Sequence, residues 1–145
     1  MKSSQQEILI NHSAKDLYKI VLDIEKYSEY IPWCKEIIIK SRSKNEMLAD
    51  MIVCYKFFTP QTFTSHVMFD SNKLLINTNY IKGPLKDLST EWLFKKLEIK
   101  KTKIIFIIKF EFQRLLHQKM AELFFGLIEN KMIDSFKKRA DEILD

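Results

Sequence analysis

The feature that most constrains the fold is the regular alternation of strand-length segments and turn residues across the middle of the chain. Turn-forming residues occur at 43–45, 59–60, 70–72, 82–84 and 100–102. Segments of strand length lie between these turns, at residues 36–42, 47–56, 61–69, 73–80, 87–97 and 103–112. Strands at this spacing, joined by short turns, are typical of an antiparallel meander. The sequence therefore predicts six consecutive antiparallel strands.

Alternation within the last two of these strands predicts which side chains face the interior, because successive side chains of a strand point to opposite sides. One side of the last strand carries Ile104, Phe106, Ile108, Phe110 and Phe112. In the strand before it, one side carries Leu88, Thr90, Trp92 and Phe94, and the other side carries Ser89, Glu91 and Lys95. We therefore expect the apolar side of the last strand, and Trp92 from the strand before it, to face the core.

The N-terminal part of the chain is predicted to contain one further strand and two short helices. Residues 3–10 are the predicted strand. Ser13 follows as a helix N-cap, with Asp16 three residues later in a capping-box pattern. The helix carries an apolar stripe of Leu17, Ile20, Val21 and Ile24. Its continuation through residues 24–30 ends before Pro32, because proline disfavours helical backbone in the preceding residue, and Pro32-Trp33-Cys34 is predicted to be a loop.

A long helix is predicted over residues 115–144, which contain no proline, with Gly126 as a candidate interruption. At 100° per residue this helix carries two apolar stripes. The first consists of Leu116, Met120, Leu123, Phe124, Leu127 and Ile128, and the second of Phe125, Met132, Ile133, Phe136, Ala140 and Ile143. A surface helix needs only one such stripe. The additional stripe is therefore expected to contact a loop, another subunit, a ligand or a membrane.

Length and composition predict one cytosolic globular domain over residues 1–145. The chain has 46% hydrophobic and 30% charged residues, an ordinary balance for a folded domain. No apolar run reaches the roughly 18 residues that span a bilayer, and the N-terminus lacks the apolar core of a signal peptide. Cys34 and Cys54 are too few for a disulfide framework, which favours a reducing compartment.

The net charge of +5 favours anionic partners, either phospholipid headgroups or RNA. The arginines are limited to Arg42, Arg114 and Arg139. Because arginine makes the bidentate contacts that are common in base recognition, this scarcity argues against sequence-specific nucleic-acid binding. Basic clusters at residues 95–103 and 137–139 are either contacts for anionic lipid or solvated faces.

Residue types that usually carry catalysis or bind metal are scattered. The three histidines of the chain are His12, His66 and His117. None of them has another histidine or an acidic residue at ligand spacing. With Gly83 and Gly126 as the only glycines, a glycine-rich phosphate loop is excluded. Cys34 has no histidine near it in sequence and is expected to be inert. We therefore expect no catalytic residues, no metal site and no enzymatic activity.

Three stretches carry motifs in a fixed order. The first comprises residues 13–18 with Asp23, Tyr27, Tyr30, Ile31 and the Pro32-Trp33-Cys34 loop. The second comprises Gly83-Pro84-Leu85 with Leu88, Trp92 and Phe94, and the third comprises residues 110–112 with residues 132–136, Arg139 and Ala140. Together they resemble the coenzyme Q-binding and ribosome-association-toxin branch of the START-like (polyketide cyclase and lipid transport) family. The resemblance extends from about residue 5 to residue 143.

The resemblance implies an α+β helix-grip fold, in which a curved antiparallel sheet of about seven strands wraps around a long C-terminal helix and two short helices follow the first strand. It also implies an apolar cavity that binds ubiquinone or a similar isoprenoid lipid, with no required cofactor. The side chains expected to line this site are Trp33, Trp92, Phe94, Phe106, Ile108, Phe110, Met120, Leu123, Phe124 and Leu127. The alternative is that these side chains fill a solid core.

The function implied by the quinone side of the branch is that of a noncatalytic carrier or chaperone, which supports respiratory electron transport and quinone biosynthesis. We expect it in the bacterial cytoplasm, with peripheral contact at the inner face of the membrane or with quinone-handling proteins there. The other side of the branch implies a ribosome-binding regulator that hinders subunit association. A third alternative is a polyketide cyclase or aromatase, which requires a polar catalytic group inside the cavity. Oligomeric state and lipid identity are left open.

Overall fold

The elements of the structure follow the predicted order of one strand, two short helices, six strands and a long helix. The computed structural model describes residues 2–54, 59–112 and 118–144, with side chains in the last range at 123, 125–128 and 130–144. The strands are β1 Lys2–Ile10, β2 Cys34–Arg42, β3 Glu46–Val53, β4 Gln61–Asp70, β5 Leu75–Lys82, β6 Leu85–Glu98 and β7 Lys101–Phe112. The helices are α1 Ala14–Leu22, a 3₁₀ helix Ile24–Glu29 and α2 Gln118–Ile143.

The described strands form one antiparallel sheet in the order β1-β7-β6-β5-β4-β3-β2. From β2 to β7 each strand pairs with its neighbour in sequence, and β1 completes the sheet beside β7. Extra residues shift the register in β2 after Cys34 and Ile39, in β5 between Tyr80 and Lys82, and in β6 after Leu85 and Lys96. Such bulges bend the strands that carry them. The predicted meander and the helix-grip architecture are confirmed.

The turn between β4 and β5 is longer than predicted. A strand is expected from residue 73, but Lys73 and Leu74 belong to the turn and β5 begins at Leu75. The Asp70 carboxylate accepts hydrogen bonds from the backbone N–H groups of Asn72 and Lys73, at 2.9 and 3.0 Å. Leu74 then adopts a positive φ of 52°. The Asp70 side chain thus stabilises the turn conformation for two residues beyond the predicted limit.

Other boundaries differ from the prediction where pairing across the sheet decides them. Cys34 is predicted to lie in a loop, yet it is the first residue of β2 because it pairs with Val53 of β3. Strand β6 begins at Leu85, two residues earlier than predicted, because Leu85 pairs with Phe112. Residues 55–56 of the predicted 47–56 strand and residues 115–117 of the predicted helix lie outside the described residues.

The N-cap of α1 forms as predicted. The Ser13 hydroxyl accepts a hydrogen bond from the Asp16 backbone N–H at 3.2 Å, which satisfies one of the free N–H groups in the first turn. The helix buries Leu17, Tyr18 and Val21. Tyr18 packs edge-on against Phe94 of β6, with ring centroids 5.9 Å apart. Burial of this apolar face holds α1 against the sheet.

The inner face of the sheet has the alternation that the sequence predicts. Four residues of β7 are at most 2% exposed: Ile104, Phe106, Ile108 and Phe110. Trp92 and Phe94 of β6 are 5% and 4% exposed, whereas Phe112, at the end of β7, is half-buried. The core therefore lies on the face of the sheet predicted from period-two alternation.

Both apolar stripes of α2 bury side chains. Leu127 and Ile128 belong to the first stripe, Phe136 and Ala140 to the second, and all four are at most 9% exposed. Phe136 packs edge-on against Tyr27 of the 3₁₀ helix, with ring centroids 5.2 Å apart. A segment of the same chain therefore covers part of the additional stripe, one of the alternatives left open by the sequence.

Substituting alanine for Gly83 should destabilise the fold. Gly83 has a φ of +153°, and an added Cβ would lie 2.7 Å from the Tyr80 hydroxyl oxygen and 2.8 Å from the Thr62 carbonyl oxygen. Because both the backbone conformation and these contacts are unfavourable, we expect Gly83→Ala to lower the free energy of unfolding by about 2 kcal/mol or more. Urea denaturation measures this change.

Gly126→Ala is the matched control for that experiment. Among the described side chains, a Cβ at Gly126 would meet only the Asn130 Nδ2 atom, at 3.9 Å. Since alanine is favoured over glycine inside a helix, this substitution should raise the free energy of unfolding by about 0.5–1 kcal/mol. The same effect from both substitutions would contradict the constraint at Gly83.

Candidate ligand-binding cavity

A cavity of about 130 Å³ lies between the inner face of the sheet and α2. Strands β2 to β7 contribute alternate residues to its wall, among them Ile37, Met51, Phe63, Ile76 and Phe106. Helix α2 contributes Ile128, Met132 and Phe136, and the segment after α1 contributes Ile24, Tyr27 and Trp33. A wall made mainly of hydrocarbon and aromatic groups is suited to an apolar guest.

Aromatic rings form a connected cluster on this wall. The ring centroid of Trp92 lies 4.4 Å from that of Phe106 and 4.9 Å from that of Phe136. Phe136 in turn packs edge-on against Tyr27 and Tyr30, at 5.2 and 5.5 Å. Edge-to-face packing of this kind is a favourable arrangement of aromatic quadrupoles. The cluster joins the sheet, the 3₁₀ helix and α2.

The two tyrosines of this cluster are held neutral. Burial raises the pKa of Tyr27 well above its ordinary value, and its hydroxyl donates a hydrogen bond to the Val21 carbonyl. Burial also raises the pKa of Tyr30, although the nearby Arg139 opposes this effect. The Arg139 guanidinium lies over the Tyr30 ring, 5.0 Å from its centroid, and pairs with Glu29 at 3.1 Å. Neither tyrosine is therefore suited to exchange a proton near neutral pH.

Three hydroxyl side chains interrupt the apolar wall. They are Ser65 of β4, Thr78 of β5 and Thr90 of β6. Thr78 pairs directly with Thr90. Ser65 is diagonal to Thr78, because the residue that pairs with Thr78 is Val67, two positions along β4. The three side chains, called the hydroxyl row below, therefore form a continuous polar line across three neighbouring strands.

The structure places four of the ten predicted ligand-binding residues on the cavity wall: Trp33, Trp92, Phe106 and Ile108. Phe94, Phe110 and Leu127 are buried outside this wall, and Leu123 is half-buried and also outside it. The side chains of Met120 and Phe124, like residue Leu116, lie outside the described residues. Contact between a ligand and any of these ten residues stays a prediction.

Phe94 and Phe110 face the predicted side of the sheet but are covered by other rings. Phe94 contacts Tyr18 of α1 at 5.9 Å. Phe110 lies 5.0 Å from Phe112 and 5.1 Å from Phe125 of α2, measured between centroids. Alternation identifies the inward face of a strand, whereas the element that packs on this face decides which residues border a cavity.

Sequence reasoning missed the part of the wall that β3, β4 and β5 supply. Alternate residues of β3 and β4 face the cavity, namely Ala49, Met51, Val53, Phe63, Ser65 and Val67. Period-two alternation in these strands indicates the face on which they lie, but not that this part of the face borders the cavity. In α2 the described lining residues are Ile128, Met132 and Phe136. The prediction had placed the lining earlier in the helix.

Two further features bear on the chemistry of the protein. Within the described ranges, no group of three or more His, Cys, Asp or Glu side chains is arranged to hold a metal ion. None of the helices in the described part of the chain has the length and hydropathy required to cross a membrane.

Comparison with known proteins matches residues 10–137 to the family model for polyketide cyclase / dehydrase and lipid transport proteins. The chain is 29% identical to the ribosome association toxin RatA of Rickettsia prowazekii over 147 residues, which cover 99% of each protein. It is 30% identical over 131 residues to the mitochondrial coenzyme Q-binding protein COQ10 of Drosophila melanogaster, covering 88% of this chain and 54% of that protein. Both similarities agree with the branch suggested by the sequence motifs.

Solved structures share the fold at lower sequence identity. The Zhui aromatase/cyclase from Streptomyces sp. R1128 superposes with a TM-score of 0.85 at 14% identity, covering 97% of this chain and 94% of that one. A START superfamily protein from Mycobacterium smegmatis superposes with a TM-score of 0.84 at 16% identity, covering 98% and 99%. These similarities confirm the predicted START-like fold.

Cys34 should be unreactive in the folded protein. It is 4% exposed, and burial raises the pKa of its thiol to about 11, so little thiolate is present at pH 8. Cys54, in contrast, is exposed. We expect iodoacetamide at pH 8 to alkylate Cys54 quickly and Cys34 only after denaturation, as measured by peptide mass spectrometry. Cys54→Ser should abolish rapid alkylation, and rapid alkylation of Cys34 in the parent would contradict this interpretation.

Proposed function

Because the chain belongs to the polyketide cyclase/dehydrase and lipid transport family, we propose that it binds ubiquinone or a similar isoprenoid lipid in the cavity between the sheet and α2. The observation that carries this proposal is the cavity wall, which is apolar except for a few polar groups such as the hydroxyl row. An apolar group that moves from water to such a wall gains roughly 25 cal/mol for each Å² buried. Polar groups are then needed mainly to orient the ligand.

The size of the cavity limits which part of the lipid it accommodates. Its volume of about 130 Å³ is close to the roughly 150 Å³ of an apolar protein cavity that binds benzene. This space suits about one aromatic ring and is too small for a polyprenyl tail. We therefore place the quinone ring inside the cavity and the isoprenoid tail along a path that leaves it.

We further propose that the protein is a noncatalytic carrier or chaperone, which moves quinone between the membrane and the enzymes of respiration or quinone biosynthesis. Among the described residues that line the cavity, Tyr27 is the one with a titratable side chain, and its hydroxyl is bonded to the Val21 carbonyl. A general acid or base needs a pKa near the working pH, whereas burial raises the pKa of Tyr27. The similarity to a coenzyme Q-binding protein supports the quinone as ligand.

Tryptophan fluorescence tests this binding, because both tryptophans of the chain, Trp33 and Trp92, line the cavity. A quinone ring in contact with an indole quenches its emission. We expect decylubiquinone to quench the emission saturably, with one ligand bound per chain. Absence of saturable quenching in the parent protein would contradict the proposal.

A pair of variants shows whether the ligand occupies this cavity. Ala49 lines the cavity, so Ala49→Leu fills part of it and should weaken decylubiquinone binding about tenfold or more. Thr62 is exposed and adjoins the lining residue Phe63 on β4, so its side chain points to the outer face. Thr62→Leu is therefore the control and should bind as the parent does. Equal affinity for both variants would place the ligand elsewhere.

Association with a ribosomal subunit is the second candidate function. This candidate is favoured by the similarity to RatA, a ribosome association toxin. The similarity covers 99% of both proteins. The net charge of +5 provides attraction for RNA. The hairpin that joins β6 and β7 carries exposed lysines at Lys95, Lys96 and Lys100. This hairpin is the surface that we propose for the contact.

Co-sedimentation with purified ribosomal subunits at increasing salt tests this second function. Specific association should persist at about 200 mM salt, whereas binding through charge alone should decline steeply. Replacing Lys95, Lys96 and Lys100 by glutamate should abolish co-sedimentation. Quinone quenching should be unchanged in this variant, because none of the three lysines lines the cavity. Full co-sedimentation of the variant would exclude the hairpin as the contact.

A further inference from the structure

The hydroxyl row lies beside the aromatic cluster of the cavity. Thr90 and Trp92 are two residues apart on β6, so their side chains point to the same face and their Cα atoms are about 6.6 Å apart. Ile76 and Thr78 are related in the same way on β5, where Ile76 pairs with Trp92 and Thr78 pairs with Thr90. A ligand ring that contacts Trp92 therefore has its edge near the hydroxyl row.

Among residues 2–54, 59–112 and 118–144, no group forms a hydrogen bond with the side-chain hydroxyl of Ser65, Thr78 or Thr90. Two more deeply buried threonines of the same sheet do have partners. Thr64 donates to the Asp50 carboxylate at 2.5 Å, and Thr102 donates to the His12 carbonyl at 2.7 Å. Ser65, Thr78 and Thr90 are only half-buried, so their hydroxyl groups are accessible from the cavity. Accessible hydroxyl groups in an otherwise apolar wall are able to bind a polar group of a ligand that enters the cavity.

We infer that the hydroxyl row binds an oxygen atom at the edge of the ligand ring, such as a quinone carbonyl, while Trp92 contacts the face of that ring. This inference rests on the proposed function, since it specifies how the same cavity recognises its ligand. Each hydroxyl donates one hydrogen bond, and a carbonyl oxygen accepts two. The side chains of a directly paired couple such as Thr78 and Thr90 begin about 5 Å apart, so both hydroxyls reach one oxygen.

The same wall selects against charged lipids. None of the described residues that line the cavity is a lysine, arginine or histidine. A carboxylate or phosphate would therefore lose its water without gaining an opposite charge, which is unfavourable. A quinone or a quinol carries oxygen atoms and no net charge. The recognised class is thus a neutral oxygenated ring, and fatty acids and phospholipid headgroups are excluded from this position.

A double variant, Thr78→Val with Thr90→Val, tests the inference because valine keeps the branched shape and removes the hydroxyl. The probes are decylubiquinone and decylbenzene, which share a decyl tail on a six-membered ring. Decylubiquinone in addition carries two carbonyl oxygens, two methoxy groups and a methyl group, so each probe is compared between the variant and the parent. By calorimetric titration, the parent should bind decylubiquinone about tenfold or more tightly than decylbenzene. The double variant should lose this preference and bind decylbenzene at least as well as the parent. Thr62→Val, on the outer face of β4, should match the parent with both probes.

Each other outcome has a defined meaning. Unchanged decylubiquinone affinity in the double variant overturns the inference and leaves the proposed lipid binding intact. Equal weakening of both probes also overturns it, because the row would then shape the cavity without recognising oxygen. If the parent binds neither probe, the proposed function and the inference fail together. Should the double variant not fold, Ser65→Ala serves instead, with a smaller loss expected for decylubiquinone alone.

Discussion

The contact between Phe136 of α2 and Trp92 of β6 joins the long helix to the sheet at the cavity wall. The two rings meet edge to face, with centroids 4.9 Å apart, and each residue is at most 5% exposed. Tyr27 packs on Phe136 as well. All three rings line the cavity, so they join the long helix, the 3₁₀ helix and the sheet at its wall. The ion pair between Arg139 and Glu29, at 3.1 Å, holds the same part of the helix in place.

The strands, the α1 cap at Ser13 and the inward face of β7 follow from local sequence signals, since alternation, turn residues and capping side chains act over a few positions. The cavity wall is decided by non-local packing. Phe94 and Phe110 have the same inward orientation as Phe106, yet rings from α1 and α2 cover the first two. The start of β2 at Cys34 likewise depends on its partner in β3. Such information is absent from the neighbouring sequence.

The two candidate functions use different parts of the molecule. We propose the apolar cavity and its hydroxyl row for lipid binding, and the charged groups of the β6–β7 hairpin for ribosome association. A shared fold does not select between them, because function depends on the site and not on the architecture. We favour the lipid, since an apolar wall with a few hydroxyl groups suits a limited class of ligands, while a lysine-rich surface attracts any polyanion.

The proposed lipid binding requires that the space behind Phe136 accepts a neutral quinone ring. Native mass spectrometry of the protein, after incubation with liposomes that contain ubiquinone, detects such a complex. We expect a complex of one quinone with one chain, and much less of this complex when leucine replaces Ala49 in the cavity wall. Detection of only the free protein at every quinone concentration would contradict the proposed binding.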